Sequence, residues 1–143
     1  MQEIKGLGFI ALSIWLLVAL ASFWTPPDDP AAAGHNLGGE AGYYLANGLL
    51  IVCGLAGYLI AGLIGLWGLV LVSRRKVTWP FVRVLGGCFL VGSLALILQL
   101  ALGTSLEDLE QARGAGFDSR LPYGPGGWLA VELTPELLQP FGA

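Results

Sequence analysis

The chain has 143 residues, 55% of them apolar, with 7 basic and 10 acidic side chains and a formal net charge of −3. A soluble domain of this length would carry about a quarter charged residues, roughly 36. That shortfall, with the apolar residues gathered in uninterrupted runs, excludes a water-soluble globular fold and predicts an all-α membrane protein.

The first charge-free window, residues 6–24, is 19 residues long. It exceeds the 18 or so apolar residues that cross a hydrocarbon core about 30 Å thick, and predicts a first transmembrane helix over about 6–24. Lys5, the apolar run and Ala19-Leu20-Ala21 also resemble a secretory signal with its cleavage site. The run is long for a signal, however, and ends in Trp24 and two prolines like an anchored helix.

A turn-rich connection follows, TPPDDPAAAGHNLGG, assigned with its flank to a loop over 25–41. The second charge-free window, 41–73, has 33 residues. A helix over 42–72 at 1.5 Å per residue would be about 46 Å long, well beyond the core, so it must tilt, bend or protrude. It carries a row of small residues, Gly54, Gly57, Ala61, Gly65 and Gly68, at the spacing that shares one helix face. Such a row lets a second helix pack backbone to backbone, either within the chain or between subunits.

A basic turn over 73–80 holds Arg74, Arg75 and Lys76. It makes the second and third spans an antiparallel hairpin. The third window, 84–106, has 23 residues and predicts a helix over about 81–102, with Arg83 at its edge. Residues 103–143 form a further polar segment. Ser105 and Asp108 make a capping box for a short helix, 114–127 is loop by composition, and 128–141 reads as two short amphipathic pieces broken by Pro135 and Pro140 and resting on the interface.

Charge sets the topology. Lys5, Arg74, Arg75, Lys76 and Arg83 flank the spans on one side, whereas nine of the ten acidic residues lie on the other. By the positive-inside rule the N-terminus and the 73–80 turn are cytoplasmic, and 25–41 and 103–143 are outside. Trp24, Tyr43 and Tyr44 then fall at the outer interface, Trp67 and Trp79 near the inner one.

The chemistry-bearing residues are few. Neither lysine follows a glycine, so no P-loop exists. The sole histidine, His35, sits in the loop with Asp28 and Asp29 and fixes no acid-base geometry. Cys53 and Cys88 lie inside spans without metal-ligand spacing and read as small apolar groups. No cofactor, metal or catalytic residue is read. The cations near 74–76 are those that topology requires, which leaves no call for direct DNA contact. Asn47 and Gln99 lie at similar depth and predict an interhelical hydrogen bond, directly or through the first helix.

Taken in order, these motifs resemble the N-terminal membrane domain of the FtsK/SpoIIIE DNA translocases. The run from Ser22 through Pro27, Asp29 and Pro30 resembles the segment that follows that family's first helix. Asn36, Gly38, Gly39, Gly42 and Ala46 match its N-x-G-G-x-x-G-A-x-x-A-D entry to a long glycine-rich helix, with Tyr43 in place of a small residue and Asn47 in place of Asp. Residues 126–143 resemble the stretch before the family's fourth helix. The resemblance implies a non-enzymatic anchor and assembly module in the bacterial inner membrane, in contact with lipid and possessing a septal location. It also implies homo-oligomerisation, as a hexamer with the motor, and contact with other division proteins. The fourth helix and the ATP-driven motor would lie outside this sequence. The competing expectation, resting on composition alone, is an unrelated small membrane scaffold or transporter subunit.

Overall fold

A computed structural model describes residues 2–23, 35–73, 80–102, 121 and 123–138. Pro27, Asp29 and Pro30, the Arg74, Arg75 and Lys76 cluster, and the Ser105–Asp108 box lie outside the described residues. The elements are α1 (Gln2–Ala21), α2 (Gly39–Cys53), a single 3-10 turn (Gly54–Ala56), α3 (Gly57–Val72), α4 (Pro80–Leu102) and α5 (Gly127–Leu138), and no strand occurs among the described residues. Among the described residues three stretches are long and apolar enough to cross a membrane: Glu3–Ala21, Gly39–Val72 and Phe81–Ala101. They overlap the three charge-free windows, each beginning two or three residues earlier. α1 begins earlier than its apolar run, at Gln2, because long side chains such as Lys5 can extend from a helix end toward water.

Of the three ways to take up the excess length of the second span, the chain uses a bend. Gly54 leaves helical dihedrals at φ 56 and ψ −137, and a 3-10 turn follows before α3 begins. A Cβ at Gly57 would lie 3.4 Å from the Leu49 Cβ, whereas a straight helix separates residues eight apart by about 12 Å. The excess length is therefore absorbed by a sharp bend at glycine, a residue at which helices commonly kink.

Among the described residues two buried clusters hold the elements together. Leu16, Ala19, Leu20 and Phe23 of α1 pack with Ala46 and Leu50 of α2 and Ala61 of α3. Ala56 of the 3-10 turn, Val91 and Ala95 of α4 and Ala130 of α5 form the other. Alanine recurs in both because, with no hydrophobic drive between helices in lipid, close van der Waals approach must supply the cohesion. Large apolar side chains such as Leu66, Phe81, Phe89 and Ile97 point outward, the arrangement suited to a lipid solvent.

The C-terminal segment departs from expectation. Instead of two pieces broken at Pro135, α5 is a single helix of 12 residues. Proline deprives the Val131 carbonyl of its usual donor, while the Thr134 hydroxyl donates to the Ala130 carbonyl at 2.6 Å. Gly126, Gly127 and Ala130 are buried against the rest of the protein, while Trp128, Leu129 and Leu133 are exposed. The two glycines lack the side chains that would have kept the backbone out.

Candidate functional site

The polar atoms of the described residues converge on places where helices meet. At the C-terminal end of α1, the last carbonyls lack partners within the helix, as at every helix C-terminus. Ser22 satisfies Val18, its N–H donating at 2.9 Å and its hydroxyl at 2.7 Å. Asn36 Nδ2 donates to the Ala19 carbonyl at 2.9 Å, and the Tyr58 hydroxyl donates to the Leu20 carbonyl at 2.9 Å. The Ser22 hydroxyl also accepts the Leu37 N–H at 3.1 Å.

The motif residues surround this junction. Asn36 Oδ1 accepts the Gly38 N–H at 2.8 Å, so one buried side chain joins the end of α1 to the start of α2. A Cβ at Gly38 would meet the Ala19 Cβ at 2.8 Å, and one at Gly42 would meet it at 3.1 Å. Gly39 opens α2 at φ 71, and Ala46 is fully buried. Tyr43, where the family resemblance would place a small residue, stacks on Phe23 with ring centroids 5.2 Å apart. Asn36, Gly38, Gly39, Gly42 and Ala46 thus each meet a constraint of the α1–α2 joint.

The small-residue row divides at the bend. Gly6 and Gly68 touch reciprocally: a Cβ on either would lie 2.8 Å from the carbonyl oxygen of the other. Ser13, buried on α1, donates to the Ala61 carbonyl at 2.7 Å, and a Cβ at Gly65 would meet the Ser13 hydroxyl at 2.6 Å. Ala61, Gly65 and Gly68 are thereby occupied by α1 of the same chain. Gly57 lies in the bend, and Gly54 faces the segment before α5.

That segment forms the third junction. The Leu55 N–H, released by the bend, donates to the Pro125 carbonyl at 2.9 Å. The Gly126 N–H donates to Gln99 Oε1 of α4 at 3.2 Å. Gly54 and Gly127 are at φ 56 and 73, and a side chain on either would overlap the backbone of the other segment. The expected Asn47–Gln99 bond is absent among the described residues. Gln99 instead turns to Gly126, whose backbone has come between α2 and α4; Asn47 is half-buried on α2.

Sequence reasoning did not assign roles to Ser22, Tyr58, Gly126 or Gly127. The signal for the last two was the Gly-Pro-Gly-Gly run, which reads as an ordinary turn until it is placed at membrane depth. Cys53 and Cys88 are free thiols, and Cys88 is exposed rather than enclosed. Arg83 is exposed near the start of α4, and His35 is exposed just before Asn36. Among the described residues no three His, Cys, Asp or Glu side chains come together as a metal site would need, and every buried side-chain nitrogen or oxygen has a hydrogen-bond partner.

The fold and its junctions define a multi-pass helical membrane domain whose buried polar groups are spent on joining helices. The chain belongs to the family described as the 4TM region of DNA translocase FtsK/SpoIIIE, whose model matches residues 1–143. It is 32% identical over 123 residues to the DNA translocase FtsK of Azospirillum brasilense, covering 80% of this chain and 19% of that protein. The chain thus spans about a fifth of the length of that curated relative. No solved structure matches it. Membership of the family sets aside the unrelated scaffold or transporter subunit, and makes this the membrane-anchor part of an FtsK-like translocase.

Proposed function

We propose that this domain holds a bacterial DNA translocase in the inner membrane and brings it to the division septum, where the whole protein serves chromosome segregation. The N-terminus and the basic turn at 73–80 face the cytoplasm, and the segment after α4 faces outward. Copies associate around a hexameric motor, other division proteins are neighbours, and the domain itself neither touches DNA nor binds nucleotide.

The observation that carries this reading is the family match along the whole chain, joined to a structure in which the motif residues build the α1–α2 joint. The joint is closely packed and hydrogen-bonded, which suits an anchor. Because Ala61, Gly65 and Gly68 are used within the chain, self-association would draw on exposed apolar residues elsewhere on the helices. The test is a fluorescent fusion of the full-length translocase, with and without residues 1–143, in a dividing bacterium. A mid-cell band that disappears on deletion supports the proposal; uniform membrane signal from the intact protein, or a mid-cell band without the domain, overturns it.

A further inference from the structure

α4 is the least enclosed span: 11% of it is buried within the protein, against 28% for each of the other two. Between it and α3 lies an apolar groove of about 740 Å³, inside the roughly 300–1,000 Å³ range of small-molecule sites. Leu63, Trp67 and Val70 form one wall and Val84, Gly87 and Val91 the other. Gly87 hollows the α4 wall, since a Cβ there would meet only the Leu63 Cδ1, at 3.5 Å.

Two features say what fills it. Among the described residues Arg83 is the single charged side chain lining the groove, and it stands at the end where α4 begins. From Arg83 the lining runs along α4 to Ala95, a length of about 18 Å at 1.5 Å per residue, where Leu129 of α5 and the Ala56, Val91, Ala95 and Ala130 cluster close it. That is little more than half of a hydrocarbon core about 30 Å thick. A neighbouring transmembrane helix would need the full depth. An acyl chain occupies one leaflet, with its phosphate at the level of the cation.

We propose that the groove binds one glycerophospholipid with an anionic headgroup, its acyl chain lying along Leu63, Trp67 and Gly87 and its phosphate on the Arg83 guanidinium. The planar fork of arginine suits two phosphate oxygens at once, and basic pockets between helices are a recurring means of selecting such lipids.

The test uses the full chain in vesicles of mixed phosphatidylglycerol and phosphatidylcholine, with a diazirine in the acyl chain of one lipid or the other. Labelling of residues 84–95 should favour phosphatidylglycerol about fivefold, the worth of one basic residue near the surface. Arg83→Gln should abolish the preference and Arg83→Lys should retain most of it, while glutamine at Arg74, Arg75 and Lys76 together should leave it in place. Gly87→Phe, which fills the groove, should abolish the preference and leave only the equal labelling that outward-facing residues such as Phe89 take from bulk lipid. Equal labelling of the parent by both lipids, a preference that follows the 74–76 cluster rather than Arg83, or a photoprobe at Val84 that captures a second polypeptide in place of lipid would each overturn the proposal.

Discussion

Asn36 holds Ala19 by the carbonyl, Nδ2 to oxygen at 2.9 Å, across 17 residues of sequence. The same side chain accepts the Gly38 N–H, so both of its ends are committed where α1 stops and α2 starts. Asn36→Ala should lower stability by about 1–3 kcal/mol, the usual cost of leaving buried polar groups unmet. Asn36→Asp keeps the acceptor, loses the donor and buries a charge, and should be at least as damaging. Unfolding in detergent micelles, followed by loss of helicity or by steric trapping, measures both.

Gly62 and Gly68 lie on the same helix in opposite circumstances. A Cβ at Gly62 meets nothing within 4 Å, whereas one at Gly68 meets the Gly6 carbonyl and the Ile10 amide at under 3 Å. Gly68→Leu should cost about 1–3 kcal/mol by overpacking, and Gly62→Leu should be nearly neutral. Comparable losses from the two in the same unfolding assay would contradict the α1–α3 contact.

Gly54→Ala and Gly127→Ala should each expel the segment before α5 from its seat. A left-handed backbone costs a side chain about 1–3 kcal/mol, and here overlap with facing backbone is added. Cysteine introduced at Leu121 should become more reactive to a water-soluble maleimide in these variants than in the parent. Unchanged reactivity would contradict the junction.

Gln99 is testable by chemistry rather than bulk. Gln99→Leu leaves the Gly126 N–H without its acceptor and should destabilise by about 1–3 kcal/mol, with faster amide exchange at Gly126. Gln99→Glu preserves an acceptor at the same reach and should protect that amide better than leucine does. Equal exchange in all three proteins would show that the bond carries no weight.

The orientation rests on charge alone, and reporter fusions check it. A reporter active only in the cytoplasm should work when fused after Arg75 and fail after Gly116. The reverse pattern would invert the domain.

Much of the architecture was legible because bilayer thickness is a harsh filter. Three charge-free windows had to be three spans, and the excess length of the second required a tilt, a bend or a protrusion. The place of the bend was hidden: glycine is frequent throughout 41–73, and what distinguishes Gly54 is the Pro125 and Gly127 backbone from the far end of the chain. For the same reason Gln99 was read as a partner for Asn47, when its actual partner is a backbone amide in a stretch that looks like a surface turn. The small-residue row was visible, but periodicity cannot say which helix covers it; α1 does, through Gly6 and Ser13.

The insertion of Pro125, Gly126 and Gly127 between α2 and α4 also constrains the order of biogenesis. Irregular backbone at this depth is tolerable only when enclosed by protein; a Cβ at Gly126 would touch the Ala95 carbonyl, about 10 Å inward from the end of α4. The stretch therefore has no stable place in the bilayer until the exposed Leu55 amide and the Gln99 side chain are both waiting for it. Last in chain order among the described elements, it can take its seat only after the second span has bent at Gly54 and α4 has presented Gln99.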